Sequence, residues 1–307
     1  MTRAILWRGG QIGVLVGLAL LLWHAADGRT ALEQMRHVDP RWLVAAAILL
    51  SVQTILSAQR WRLTAAQLGL AIPVFSALKE YYLAQIVNQS LPGGVLGDAG
   101  RALRSRGQAG LAVAAQAVVF ERVAGQLGLL AVLTCGACAG LLMPTGLNWP
   151  DWVGQAVFVG GIAAAFFAAS GALAPIVRRA ARQFADAVWA PRVRLQQIVL
   201  SVTAALCNVA AFACCAFALG VAMPAVAVAV LVPLILFAMV LPLSVAGWGL
   251  REGAAALLFP VMGATAASGL ATSIAFGSVF LLTTLPGLLV PLLLTSTAHS
   301  KGENNAP

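Results

Sequence analysis

Uncharged apolar runs of about 20 residues recur from one end of this sequence to the other. Short segments whose charge is mostly arginine separate them. A run of that length matches the thickness of a bilayer core when helical, and the runs are continuous rather than alternating, which argues against a barrel. The chain has 307 residues, 61% of them hydrophobic and 9% charged, against roughly a quarter charged in a soluble globule. We expect an all-α polytopic membrane protein, a single integral membrane domain over 1–307.

The formal net charge is +9. The arginines sit between apolar runs, where they set orientation and meet anionic headgroups, so no nucleic-acid partner is expected. The five cysteines (135, 138, 207, 214, 215) lie inside apolar runs and read as small filler. The spacing of Cys135 and Cys138 has no second pair and no nearby histidine to complete a metal site, and no cofactor is expected.

Full spans are expected at about 10–26, 42–58, 110–142, 153–175, 197–219 and 267–295. Arg60-Trp61-Arg62 reads as the basic-aromatic anchor ending the second span, and 63–80 as an interfacial segment. Trp7, Trp23, Trp42, Trp61, Trp149, Trp152 and Trp189 fall near expected span ends, as belt residues do. The stretch 176–194 carries five arginines and reads as a cytoplasmic loop, while 143–152 has no Lys or Arg and belongs outside. Both termini are then cytoplasmic, in a cell (inner) membrane.

Two stretches break the apolar pattern. The first reads Asn88-Gln89-Ser90-Leu91-Pro92-Gly93-Gly94-Val95-Leu96-Gly97-Asp98-Ala99-Gly100-Arg101. The second reads Leu241-Pro242-Leu243-Ser244-Val245-Ala246-Gly247-Trp248-Gly249-Leu250-Arg251. Laid side by side, Leu, Pro, Val, Gly and Arg fall at the same five places. Broken backbone at membrane depth is tolerated only inside protein or beside a wet cavity. Both stretches therefore read as re-entrant hairpins, about 81–97 and about 225–246. Three crossings separate them, so they enter from opposite faces. The expected architecture is six full spans plus two re-entrant hairpins in an inverted repeat, repeat one about 42–142 and repeat two about 197–295. The echo extends weakly to 118–123 against 273–279.

The candidate binding residues follow. Gly93, Gly94 and Gly97 allow positive φ and close backbone approach, and Asn88 and Pro92 belong to the same turn. Exposed amides there could form an anion nest, or the glycines could serve only turning and packing. Asp98 and Arg101 are three apart and can pair on one helical turn; Arg251 and Glu252 are their counterparts, with Pro242, Ser244 and Gly247 before them. Each pair reads either as a structural salt bridge or as an arginine gripping a lipid phosphate while an acid tunes it. Glu121 and Arg122 fall well inside a span, where charge is costly and function is the default expectation. Adjacent helix positions face different ways, so their partners should lie elsewhere, with Arg101 or Asn88 as candidates.

At 88–101, 121–122 and 241–252 the chain resembles the lysylphosphatidylglycerol-synthase transmembrane, or flippase-like, family, over about 40–295. The shared pattern is Asn, Leu-Pro-Gly, Gly-Asp and a following Arg, then a Glu-Arg pair, then Pro…Gly-x-Arg-Glu. Leu96 stands where a glycine commonly precedes the Gly-Asp. In the multiple-peptide-resistance members the domain is implied to move lysyl-phosphatidylglycerol across the membrane, while a separate soluble domain makes that lipid. The resemblance thus implies a lipid flippase or transporter for an anionic or phosphate-bearing lipid, and not an enzyme. Possible partners are membrane lipids, a second copy of the chain, or a lipid-synthesis enzyme. The alternatives are a membrane-embedded enzyme of lipid or glycolipid synthesis and an accessory subunit that docks one.

Overall fold

The computed structural model describes residue 24 and residues 27–90, 94–107, 109–142, 146–150, 174–240 and 249–288. The expected spans at about 10–26 and 153–175 lie outside the described residues, apart from their last few positions. Ten α-helices occur among the described residues: α1 Gly28–Gln34, α2 Pro40–Gln67, α3 Val74–Ser90, α4 Leu96–Ser105, α5 Leu111–Leu142, α6 Ala174–Val188, α7 Arg194–Ala218, α8 Ala225–Phe237, α9 Leu250–Leu258 and α10 Ala266–Thr284. No strand is present among them. Four helices (α2, α5, α7, and α10 with its 3-10 extension to Leu288) are long and apolar enough to cross a membrane. They match four of the six expected spans. The protein is an all-α polytopic membrane protein.

The centre is an antiparallel pair, α2 and α7, which make the most extensive helix contact. Asp39 and Pro40 start α2 sharply: the Asp39 carboxylate accepts from the Arg41 amide at 2.9 Å, and proline occupies the first helical position, where its missing N–H costs nothing. The Asp39 amide donates to Ala218 O at 2.9 Å, tying the start of α2 to the end of α7. At the other end Gln197 Nε2 donates to Thr64 Oγ1 at 3.0 Å. α5 packs on both, and Gly128 is what allows it so close to α7: a Cβ there would lie 2.5 Å from Ser201 O. Phe212 of α7 and Phe276 of α10 stack in tilted and edge contacts with Phe259, the first residue of the 3-10 turn after α9.

Two helical hairpins fill the spaces between the long helices. α3 and α4 run antiparallel: Asn88 meets Gly97 near the tip and Glu80 meets Arg104 near the open end. At ~1.5 Å per residue, α3 is about 25 Å long and α4 about 15 Å, short of the ~30 Å hydrocarbon core. α8 packs on α9 in the same manner, and Pro233 lies within α8. The α3–α4 hairpin opens toward the end of α2 and the start of α5. The α8–α9 hairpin opens at the opposite end of the bundle, beside the end of α7, where Val261 O accepts from Asn148 N at 2.8 Å. The open ends of the two hairpins therefore lie at opposite ends of the bundle.

Three expectations are corrected. The second span does not end at Arg60-Trp61-Arg62, because α2 continues to Gln67. Trp61 is fully buried rather than a belt residue, while Trp42, Trp149 and Trp189 are exposed as expected. The stretch 176–194 is largely helix: α6 turns Arg178, Arg179 and Arg182 outward and packs Phe184, Ala187 and Val188 on α5, with Phe184 and Phe120 edge to face at 5.5 Å.

Candidate functional site: two buried arginine clusters

The first cluster is built from four helices. Arg60 on α2, Asp98 and Arg101 on α4, and Glu121 and Arg122 on α5 converge, with Tyr81 of α3 beside them. Arg60 Nη2 lies 2.6 Å from Glu121 Oε1. Arg101 Nη2 lies 3.2 Å from Glu121 Oε2 and 3.0 Å from Asp98 Oδ1. Arg122 Nη2 reaches the other Asp98 oxygen at 2.6 Å, and the Tyr81 hydroxyl donates to Glu121 Oε1 at 3.2 Å. Adjacent positions on α5 thus face different partners, as expected: Glu121 points inward to Arg60 and Arg101, while Arg122 turns toward Asp98 and leaves about half of its side chain exposed (47%).

Arg101 and Glu121 have no exposed surface. The Arg101 guanidinium lies 4.5 Å from both the Trp61 and Tyr81 ring centroids. Such contacts are worth about 2 kcal/mol or more when desolvated. Three arginines face two carboxylates, so the cluster carries one excess positive charge. Arg101 Nε and Nη1, Trp61 Nε1 and Asn88 Nδ2 are buried donors without a hydrogen-bond acceptor among the described residues. Buried donors are nearly always satisfied, and an excess of them beside excess positive charge suits an anion.

Asn88 does not join Glu121. Its Oδ1 accepts from the Gly97 amide at 2.7 Å, supplying an acceptor for the otherwise orphaned first turn of α4. Gly97 is there for close approach, since a Cβ would sit 2.0 Å from Ala84 O on α3. Gly94 has φ +59°, in the left-handed region before α4 begins. Pro92 and Gly93 lie outside the described residues.

The second cluster is a smaller version. Arg251 and Glu252 open α9, and both are buried. The two side chains pair directly; Arg251 Nε also donates to Ser273 Oγ on α10 at 2.9 Å, and Ser273 Oγ donates to Glu252 Oε1 at 3.0 Å. Arg251 faces the Phe276 ring at 5.3 Å. Glu252 turns back to the Gly249 amide, and Gly249 holds φ +90°. Pro242, Ser244 and Gly247 lie outside the described residues.

The plan is the same in both clusters. An arginine on a short helix reaches a polar group on the next long helix and rests against aromatic rings. Ser273 is to Arg251 what Glu121 is to Arg101, a polar partner on the following long helix. Asp98, Arg101, Glu121 and Arg122 come together in one cluster, while Arg251 and Glu252 form another on different helices. Sequence reasoning missed Arg60, Trp61, Tyr81, Ser273 and Phe276. Arg60 and Trp61 carried a signal, a charge and an indole beside a long apolar run, but it reads equally well as an interface anchor.

The family described as the lysylphosphatidylglycerol synthase TM region matches residues 10–287. No curated protein and no solved structure matches the chain.

Proposed function

Because the chain belongs to the lysylphosphatidylglycerol synthase TM-region family, whose work concerns membrane lipids, we propose that it moves an anionic or phosphate-bearing lipid between leaflets. The observation that carries this reading is the unbalanced repeat-one cluster. Three arginines meet two acids there, and the Arg101 donors Nε and Nη1 lack acceptors among the described residues. A headgroup phosphate supplies both the missing charge and the missing acceptors. In this conformation Arg101 is closed off by Trp61 and Tyr81, and Arg122 is the accessible cation at the rim. The headgroup meets Arg122 first and reaches Arg101 when the α3–α4 hairpin shifts against α5. Two hairpins of opposite entry fit a rocking, alternating-access cycle. The proposed setting is the cell (inner) membrane with both termini cytoplasmic.

The test is reconstitution in liposomes with a fluorescent anionic phospholipid. Wild type should move it between leaflets, and Arg122→Gln, at a half-exposed position, should slow transfer about tenfold while the protein stays folded. That factor corresponds to losing one charge-assisted hydrogen bond. A chemically altered lipid would instead indicate an enzyme. No movement and no alteration would leave a docking role. Transfer at the wild-type rate by Arg122→Gln would remove the role of the cluster.

A further inference from the structure

α5, α7 and the end of α6 enclose a groove of about 190 Å³. Leu127 and Ala131 of α5 and Ile198 and Val202 of α7 line it, and Gln197 stands at the end nearest the start of α7. Ala131 and Arg122 stand about half a turn apart around α5, so the groove opens on the side of that helix opposite Arg122. None of the described residues lining it carries a charge.

Gln197 is 1% exposed. Its Nε2 donates to Thr64 Oγ1 at 3.0 Å, and Thr64 Oγ1 donates onward to Arg60 O at 3.0 Å. The threonine proton is thus committed, which fixes the amide. Nε2 faces Thr64 on α2, and Oε1 is left buried without a donor among the described residues. A buried acceptor in that state is an unmet demand for a donor.

The sign of that demand is opposite to that of the first arginine cluster, which holds spare donors and spare positive charge. A lipid phosphodiester brings only acceptor oxygens and a negative charge, and would set oxygen against oxygen at Gln197. An ammonium would bring a charge that no described lining carboxylate balances. A neutral hydroxyl answers the demand without a charge. Depth gives the rest of the occupant. Trp189, exposed at the groove mouth, and the first turn of α7 mark the interfacial end. From Gln197 the lining runs inward along α7 through Ile198 to Val202. Hydroxyl outermost and apolar chain inward is the order of a neutral lipid headed by a free hydroxyl.

We propose that this groove binds a neutral hydroxyl lipid of the diacylglycerol type. The hydroxyl donates to Gln197 Oε1, and one acyl chain follows Ile198, Leu127, Val202 and Ala131 inward. The site is distinct from the first arginine cluster and does not depend on any lipid being moved. The Gln197–Thr64–Arg60 chain of hydrogen bonds links the two.

The full chain, in phosphatidylcholine nanodiscs, is irradiated with a diacylglycerol carrying a diazirine in one acyl chain, and the adducts are mapped by peptide mass spectrometry. Adducts are expected on α5 near Leu127 and Ala131 or on α7 near Ile198 and Val202. Unlabelled diacylglycerol should displace the probe. Its O-methyl ether, which lacks only the donor, should need about tenfold more, the factor for losing one hydrogen bond. Phosphatidylglycerol should compete no better than phosphatidylcholine. Ala131→Trp, at an exposed position, fills the inner end and should reduce labelling about tenfold. Gln197→Leu should bind alcohol and ether alike; should it fail to fold, the comparison of the two ligands on wild type decides the matter. Equal competition by alcohol and ether, adducts elsewhere or none, or undiminished labelling in Ala131→Trp overturns the proposal. Arg122→Gln should label as wild type does, which separates this site from the transport reading.

Discussion

Arg60 on α2 and Glu121 on α5 meet at 2.6 Å in a site where Glu121 has no exposed surface, and Gly125 leaves the room for it. A Cβ at Gly125 would lie 2.8 Å from the Arg60 guanidinium. The ion pair therefore rests on a packing choice one turn along the same helix. Glu121 also accepts from Arg101 and Tyr81, so one carboxylate joins α2, α3, α4 and α5.

Removing that carboxylate takes the charge partner from Arg60 and leaves Arg101 with Asp98 alone, in a dry site. Glu121→Gln should cost about 3–5 kcal/mol, the usual penalty for breaking one side of a buried pair. Thermal unfolding of the detergent-solubilised protein should show it. The loss should not add to that of Arg60→Met, since the two residues share one interaction; additive losses would show that the pair is not coupled.

Gly97 and Gly100 are three residues apart on α4 and should respond differently to alanine. At Gly97 the new methyl meets the Ala84 carbonyl at 2.0 Å, a backbone atom that cannot step aside. At Gly100 it meets only the end of the Arg104 side chain at 2.9 Å, which can swing away. Gly97→Ala should destabilise by about 1–3 kcal/mol or more and open the α3–α4 hairpin, while Gly100→Ala should be close to neutral. Limited proteolysis of the 88–97 region reads the difference.

Gly249 places α9 so that Glu252 can turn back to its amide. Gly249→Ala should cost about 1–3 kcal/mol through φ +90° alone. Gly249→Ala should also loosen the Arg251–Glu252–Ser273 cluster. Hydrogen exchange at the first turn of α9 should rise.

Cys135 and Cys138 are exposed on α5, while Cys207, Cys214 and Cys215 are buried on α7. An apolar maleimide delivered through the bilayer should label the first two in the folded protein, and the other three only after denaturation. Peptide mapping gives the count. Rapid labelling of Cys215 would contradict the packing of α7 against α9 and α10.

The opposite entry of the two hairpins has a direct measurement. Val95→Cys, half exposed beside the α4 start, and Val245→Cys should react with an impermeant thiol reagent from opposite compartments. Reaction of both from one side would refute the inverted arrangement.

Much of this protein was legible in its sequence, because hydrophobic length is a one-dimensional property. The four long helices, the two interrupted stretches and their shared Arg positions all follow from apolar run length and from the rarity of Pro and Arg between such runs. The charges at 98, 101, 121 and 122 also stood out, since charge inside an apolar run has no cheap explanation. Pairing is another matter. Whether Asn88 would join Glu121 or cap α4, and whether Trp61 would face lipid or Arg101, depends on how helices far apart in the chain rotate about their own axes. That rotation is fixed by contacts such as Gly97 against Ala84 and Gly128 against Ser201. Both are three-dimensional coincidences of backbone with backbone, and no local pattern encodes them. The sequence by itself thus determined which segments form the long apolar helices; only the tertiary packing decided that Arg60 and Trp61 complete the first arginine cluster.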